Sequence, residues 1–272
     1  MFTVTRLCRL LGVTRPGYYA WRQRPTSPRQ VQDRIFLEEM RAIFEASRGT
    51  YGSPRVHRVL TARGHHLSRR RVERLMRLGG LRARIVRVYR ANPGLHRFFG
   101  RYPNQVRRRQ ATRPNQIWVG DITYLAVAGR WWYLAVVLDQ YSRRVLAWRL
   151  GNTRDSRLTR AVIEAALRRR RPSAGLIFHS DRGSEYLGVP LRHRLTTSGI
   201  RQSMTGGGAP SENAHIESFF HSLKADLVHG RQFQTVGELR QQLRRYLRYY
   251  NHQRLHSALN YRSPVDYERG AA

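Results

Sequence analysis

The sequence predicts an α/β protein in which a mixed sheet with flanking helices follows an all-α region. Up to residue 81, apolar residues recur at helical spacing between Ser, Thr and Pro signals for helix starts. After Pro114, β-branched and aromatic segments come first, and helices then alternate with short strands. The formal net charge of +34, from 51 Lys plus Arg against 17 Asp plus Glu, predicts a polyanionic partner.

The composition also excludes several classes of protein. No apolar run approaches the roughly 18 residues that span a bilayer, so we expect no membrane association. The polar start MFTVTRLCRLLG is unlike a secretory signal, and we expect a cytoplasmic, nucleoid-associated protein. Cys8 is the single cysteine, which excludes an internal disulfide and a cysteine-based zinc finger.

Residues 1–27 are predicted to form a first helical segment. Two short helices around Gly12, the second capped by Thr14, have the size of a helix-turn-helix. The alternative is a small helical hairpin that only packs against its neighbour. The residues from Pro25 to Pro28 are expected to form a linker.

Residues 28–81 are predicted to form a three-helix DNA-binding domain. The helices should start near Arg34, near Ser53-Pro54 and at Ser68. The residues expected to face inward on the first and third helices are Ile35, Met40, Ile43, Phe44, Val72, Leu75, Met76 and Leu78. Four arginines on the third helix would contact DNA if that helix enters the major groove: Arg69, Arg70, Arg71 and Arg74. A solvated basic face is the alternative.

The rest of the chain divides into a basic linker, residues 82–113, and a mixed-sheet domain with a C-terminal helical extension, residues 114–272. The linker is rich in arginine and suited to lie along phosphates. Strands are expected at residues 116–125, 131–139, 144–150, 176–179 and 200–204. Helices are expected at residues 154–170 and 187–198 and around Glu217.

Three carboxylates are conspicuous in this acid-poor chain. Asp121 lies in the strand-like run IWVGDITYL, Asp181 follows the apolar segment LIFHS, and Glu217 lies in a helix-like stretch. An ionised aspartate in a half-buried strand is costly without a cation or hydrogen bonds. Grouped carboxylates suit Mg²⁺ or Mn²⁺, and a pair of such ions can activate a water or a 3′-hydroxyl at a phosphodiester. The alternatives are an arginine salt bridge for Asp121 and a turn cap for Asp181.

Further residues qualify that pattern. Lys224, the single lysine, falls seven residues after Glu217 on the same helix face, with Asn213 on the same stripe. A solvated helix face with a chance lysine is the alternative. Glu185 and Glu212 are rival third ligands. The place of Asp139 in VVLDQYS fits a strand-to-turn cap instead.

Taken together, the acids resemble the DDE recombinase core of retroviral integrases. Thirty-five residues separate Asp181 from Glu217, and a basic residue follows seven positions later. More closely, the chain resembles the OrfB-type transposases of bacterial insertion sequences. The matching segments are GVTRPGYYAWR (12–22), YGSPRV (51–56), WVGDITY (118–124), HSDRGSEY (179–186), ENAHIESFF (212–220) and YYNHQRLHSALNYRSPVDYE (249–268).

This resemblance implies a ribonuclease-H-like catalytic core in which Asp121, Asp181 and Glu217 hold two Mg²⁺ ions, with Mn²⁺ as a substitute. It implies a DNA transposase that binds the terminal repeats of its element, cleaves the ends and transfers the freed 3′-hydroxyl. Lys224 and Asn213 would contact DNA near the scissile phosphate. The implied partners are double-stranded DNA, further copies of the chain on that DNA, and an upstream OrfA-type partner or fusion.

The loop before Glu217 departs from the family pattern. It reads TGGGAPSENA, with Glu212 in the position of an aspartate, which affects its contact with DNA and leaves the three acids intact. Two other functions fit part of the pattern: a nuclease for RNA–DNA hybrids and an arginine-rich transcriptional regulator without activity. The helical N-terminal region disfavours the nuclease, and the three acids disfavour the regulator.

Overall fold

The computed structural model describes residues 3–83, 104–107, 109–206 and 213–270. The chain divides into two compact units, Met1–Arg82 and Ala83–Ala272. None of the helices in the described ranges is both long and apolar enough to cross a membrane. The finer division into four segments stays a prediction.

The described part of the first unit is built of helices. They are α1 (Val4–Leu10), α2 (Arg15–Gln23), α3 (Pro28–Ala46), α4 (Ser53–Ala62) and α5 (Arg69–Leu78). The predicted cap of α2 is confirmed, because the Thr14 side chain accepts a hydrogen bond from the backbone N–H of Gly17. Ser68, where the third helix was predicted to start, caps α5 by accepting from the backbone N–H of Arg71. Ser53, predicted to be a cap, is instead the first residue of α4.

The start of α3 differs from its prediction. The helix begins at Pro28 and not near Arg34, so the prediction of a linker over residues 25–28 is wrong at its C-terminal end. Ser27 and Gln30 form a capping box in which each side chain accepts from the other residue's backbone N–H. Pro28 is tolerated at the first helical position because no helical partner awaits its missing N–H.

The apolar faces of α3, α4 and α5 form the core of the first unit. The buried residues on them are Met40, Ile43, Val56, Leu60, Val72, Leu75 and Met76. Ile35 and Leu78 are 61% and 69% exposed, so their predicted inward positions are wrong. Each of the three helices covers only a stripe of its neighbours, and both residues fall outside that stripe.

The second unit contains a mixed five-stranded sheet. Its strands are β1 (Ile117–Val127), β2 (Arg130–Asp139), β3 (Val145–Gly151), β4 (Ile177–Ser180) and β5 (Arg201–Met204). The spatial order is β3-β2-β1-β4-β5, with β1, β2 and β3 antiparallel and with β4 and β5 parallel to β1. This topology confirms the predicted ribonuclease-H-like sheet.

Helices flank the sheet, as predicted. They are α6 (Ser156–Arg170), α7 (Val189–Thr197), α8 (Ala214–Leu223), α9 (Val236–His252) and α10 (Pro264–Arg269). Short 3₁₀ turns span Ser184–Tyr186 and Ser257–Leu259, and a π-helical segment, Lys224–Val228, continues α8.

The two faces of the sheet bury separate cores. Alternation along β1 places Val119 in a core with residues of α8 and α9, and Trp118 in a core with residues of α6 and α7. Gly120 lies on the same face of β1 as Trp118, and a Cβ atom there would collide with the ring of Phe178 on β4. Only glycine leaves room for this ring, and the next residue of β1 is Asp121.

Candidate active site

Asp121 lies on the central strand of the sheet, opposite Val136 of β2. Its Oδ1 accepts a hydrogen bond from the backbone N–H of Ile122 at 2.7 Å. Burial raises the pKa of Asp121 well above its usual range, and the negative charge of Asp181 raises it further. The carboxylate is therefore held where its charge is poorly compensated.

Asp181 is placed beside Asp121 by the pairing of β1 with β4. Gly120 is the register partner of Ser180, the last residue of β4, so each aspartate comes one residue after this pair. Asp181 Oδ1 accepts from the backbone N–H of Gly183 at 3.1 Å. Burial raises the pKa of Asp181, and the charge of Glu185 adds to that effect. The structure thus brings two of the three predicted acids together, Asp121 within β1 and Asp181 directly after the carboxyl end of the parallel strand β4.

Glu217 lies in the first turn of α8 and is exposed. Its negative charge also raises the pKa of Asp121, more weakly than that of Asp181 does. Within the described ranges, no group of three or more His, Cys, Asp or Glu side chains is arranged to hold a metal ion. Glu217 therefore faces the aspartate pair without joining it, and the three-acid metal site stays a prediction.

The other acids considered as metal ligands have different surroundings. Glu212 lies outside the described residues. Asp139 is a cap, as predicted, because it accepts from the backbone N–H groups of Asn115 and Tyr141 at 2.8 and 2.9 Å. Glu185 is buried in the 3₁₀ turn after Asp181, where an arginine binds its carboxylate.

That arginine, Arg154, is a residue that sequence reasoning missed. Its Nε and Nη2 lie 2.8 and 2.6 Å from Glu185 Oε1, and its positive charge lowers the pKa of both Asp121 and Asp181. It precedes Asp155, whose side chain caps α6 by accepting from the N–H of Leu158. Placing the helix start at Asp155 and not at Arg154 would have revealed a loop arginine at the sheet edge.

Tyr186 is a second residue that the sequence did not single out. Its side chain is buried, and its hydroxyl has no hydrogen-bond partner among the described residues. Burial raises the pKa of Tyr186 well above its usual range, and the charges of Asp121 and Asp181 add to this effect. The phenol therefore lies close to the aspartate pair, next to Phe178 at 6.1 Å between ring centroids.

Lys224 lies near the same edge. Its Nζ is 4.7 Å from the ring centroid of Tyr124, an exposed residue of β1. Desolvation lowers the pKa of Lys224, and the negative charge of Asp121 opposes that shift. Asn213, at the N-cap of α8, is buried with no donor to its Oδ1 in the described part of the chain. Contact of either residue with DNA stays a prediction.

The four arginines of α5 differ in their surroundings. Asp33 of α3 binds Arg71 at 2.8 Å and Arg74 at 2.5 Å, and the Arg71 guanidinium also covers the ring of Phe36. Arg69 pairs with Glu73, its neighbour one turn along the helix, and Arg70 is exposed. Arg71 thus has a structural part in joining α3 to α5, and DNA contact by all four arginines stays a prediction.

Comparisons with known proteins agree with this architecture. A family model described as Integrase core domain matches residues 111–210, and a second with the same description matches residues 198–264. A model described as HTH-like domain matches residues 30–89.

Two transposases are similar to this chain over most of its length. The transposase for insertion sequence element IS904 of Lactococcus lactis is 35% identical over 90% of this chain and 98% of its own length. Transposase InsF for insertion sequence IS3A of Escherichia coli is 36% identical over 98% of this chain and 94% of its own length. Among solved structures, a chain of the simian T-cell lymphotropic virus intasome in complex with PP2A regulatory subunit B56 gamma is 17% identical, with a TM-score of 0.49, over 77% of this chain and 69% of that chain.

Proposed function

The chain belongs to the insertion-sequence transposases with an integrase core, and from this premise we propose that it cuts and joins DNA through Asp121, Asp181 and Glu217. The observation that carries the proposal is the placement of Asp121, within β1, beside Asp181, directly after the carboxyl end of β4. Two desolvated carboxylates with raised pKa values are costly to keep in a structural site, and such groups concentrate where chemistry occurs.

The donor set fits magnesium. Every candidate ligand is a carboxylate, and oxygen ligands of this kind suit Mg²⁺, with Mn²⁺ as a substitute. Asp121, Asp181 and Glu217 would hold two ions, with Glu217 approaching the pair from the first turn of α8. When bound, the ions supply an activated water or 3′-hydroxyl and stabilise the leaving oxygen of the phosphodiester.

The remaining residues position the DNA. Lys224 and Asn213 contact the backbone near the scissile phosphate, and Tyr124 holds the lysine chain in place through its ring. The first unit recognises the terminal repeats of the element, with Arg69, Arg70, Arg71 and Arg74 of α5 at the major groove. Hydrolysis at the element ends frees a 3′-hydroxyl, which then attacks a target phosphodiester without a covalent enzyme intermediate.

Several copies of the chain act together on the two element ends, alone or with an upstream OrfA-type partner or fusion. Each active site serves one end, so joining both ends to a target requires more than one copy. The DNA substrate places the reaction in the cytoplasm, at the nucleoid.

The test compares carboxylate-to-amide variants on DNA carrying the element ends. Asp121→Asn, Asp181→Asn and Glu217→Gln should each lose about 1,000-fold or more in strand joining with Mg²⁺, because each removes a carboxylate that would hold the metal ions. End binding in gel shifts should change little. Glu164→Gln, which neutralises a carboxylate on α6, is the matched control and should join DNA normally.

Two outcomes would contradict the assignment. If Glu217→Gln joins ends while Glu185→Gln does not, the third ligand is Glu185. If all variants join ends, the carboxylates do not catalyse the reaction. Cleavage of an RNA–DNA hybrid in preference to duplex DNA would favour the nuclease, and end binding without cleavage of any substrate would favour the regulator.

A further inference from the structure

A positively charged feature lies at the amino-terminal ends of the parallel strands β1 and β4, away from the aspartate pair. A cavity of about 530 Å³ opens beside Ile117 and Ile177, the first residues of β1 and β4. Arg201, the register partner of Ile177 and the first residue of β5, lies on the same rim. Four residue steps, or about 13 Å of strand, lead from Ile117 to Asp121, so this basic cavity and the Asp121–Asp181 pair lie at opposite ends of β4 and are well separated along β1.

The lining of the basic cavity is positive. Arg109, Arg113, Arg171 and Arg201 all contribute to it, and all four are exposed. None of the four has a carboxylate partner in the described ranges, and none of the described lining residues is acidic. Four cations without counter-charges around one concavity form a site for an anion and not for a metal ion.

The walls of the basic cavity are held in fixed positions. Gln116 Oε1 accepts from the backbone N–H groups of Thr112 and Arg113 at 2.7 and 3.3 Å, which closes residues 112–116 into a compact loop. On the other wall, the backbone N–H of Gly175 donates to the carbonyl of Gly199 at 3.1 Å. These hydrogen bonds hold the backbone that carries Arg113 and the backbone on the opposite wall near Gly175.

The chemistry of the lining selects the ligand. No aromatic side chain lines the described cavity, so bases have no ring on which to stack, as single-stranded binders require. The hydroxyls of Thr112 and Ser173 add neutral donors of the kind that contact phosphate oxygens. Arginine forks with hydroxyl donors match the backbone of a duplex.

We propose that this basic cavity binds the phosphate backbone of double-stranded DNA, without reading sequence, as a second DNA contact of the core. The active site around Asp121 and Asp181 and the basic cavity then hold different stretches of DNA. The inference rests on the proposed function only for the choice of DNA as the polyanion.

The test replaces all four rim arginines by glutamine and measures binding of a 30-base-pair duplex without element ends by fluorescence anisotropy in EDTA. The variant should lose at least about tenfold in affinity near 0.1 M salt, and the slope of log K against log salt should fall by about 3 to 4, since each phosphate contact contributes about 0.9. The matched control replaces four exposed arginines of the same unit, Arg130, Arg231, Arg240 and Arg245. It should lose less, because exposed charges beyond a Debye length of about 10 Å contribute little.

Equal losses in the rim variant and the control would overturn the proposal. A loss on single-stranded DNA as large as the loss on duplex would also overturn it. Thermal unfolding of both variants verifies that they fold. Binding is measured in EDTA on a duplex without element ends and so requires no metal ion, and failure of the basic cavity and failure of the catalytic assignment therefore give different results.

Discussion

In the second unit, the Glu268 carboxylate and the Asp121–Asp181 pair are all partly desolvated but differ in their electrostatics. Glu268 of α10 accepts from Ser142 at 2.7 Å, from Arg144 at 2.5 Å and from Arg170 at 3.0 Å. Burial raises the pKa of Glu268, but these hydrogen bonds outweigh burial and hold the pKa below its usual range. Asp121 and Asp181 are also desolvated, yet they face each other, and their pKa values are raised.

The difference separates a structural carboxylate from a functional one. Glu268 joins α10 to the β2–β3 turn and to α6, and its charge stabilises the fold. The Asp121–Asp181 pair opposes folding and is kept in spite of that cost, as expected where a ligand or a reaction uses the charge. Variants that remove one charge at a time should therefore change stability in opposite directions.

The largest effect is expected at Glu268. Glu268→Gln should lower the free energy of unfolding by about 3 kcal/mol at pH 7, because Arg144 and Arg170 are largely buried and would lose their counter-charge. Urea denaturation measures the change. Glu164→Gln, which breaks a more exposed pair with Arg160, should cost less than about 1 kcal/mol. Equal costs would remove the distinction.

The Glu268 effect should also depend on pH with a definite sign. A lowered folded-state pKa means that the charge stabilises the protein fully above the unfolded value, ordinarily 4.5, and less as pH falls through the folded value. The stability gap between wild type and Glu268→Gln should be constant from pH 7 to about 5 and should close below 4.5. A gap that persists unchanged at pH 3 would contradict this linkage.

An intermediate effect on stability is expected at Arg154, which pairs with Glu185 next to the two aspartates. Arg154→Met should cost about 2 kcal/mol, because the Glu185 side chain, only 4% exposed, loses its ion-pair partner while the half-exposed arginine loses less. Adding Glu185→Gln should restore most of the loss, as a double-mutant cycle in urea would show. Additive losses would mean that the pair is not coupled.

The smallest effect has the opposite sign. Asp121→Asn should raise the free energy of unfolding by about 1 kcal/mol without divalent ions, since it removes a desolvated charge that faces Asp181. The midpoint of thermal unfolding at pH 7.5 measures the gain, with Asp139→Ala as a variant that should lose stability because the backbone N–H groups of Asn115 and Tyr141 lose their acceptor. A loss at Asp121 would place this aspartate in the same class as Glu268.

The sequence predicted the sheet better than it predicted the side-chain partners. Alternation is a local signal, so β1 and its two faces were predictable, as was the position of Asp181 after a buried strand. The partner of Glu185 was not, because Arg154 lies 31 residues away among 51 basic residues. That pairing depends on how the loop after β3 meets the 3₁₀ turn after β4.

The start of α3 and the position of Glu217 were not predicted from the sequence, for two different reasons. The start of α3 could have been predicted from the sequence, because Ser27-Pro28 followed by Gln30 is the pattern of a capping box. The position of Glu217 relative to the aspartates carried no such signal, because helical spacing fixes its face on α8 but not how α8 docks on β1. Residues 207–212, which precede that helix, lie outside the described structure.

The π-helical segment after α8 has a consequence for insertions and deletions. The backbone N–H of His229 bonds to the carbonyl of Lys224, five residues earlier, so the segment accommodates one more residue than an α-turn. Deleting one residue between α8 and Asp226 would rotate the Asp226 side chain by about 100° around the helix axis and take it away from the Arg254 guanidinium that it binds at 2.9 Å. An insertion or deletion in this segment would therefore misdirect its buried side chains, even where the residue added or removed faces solvent.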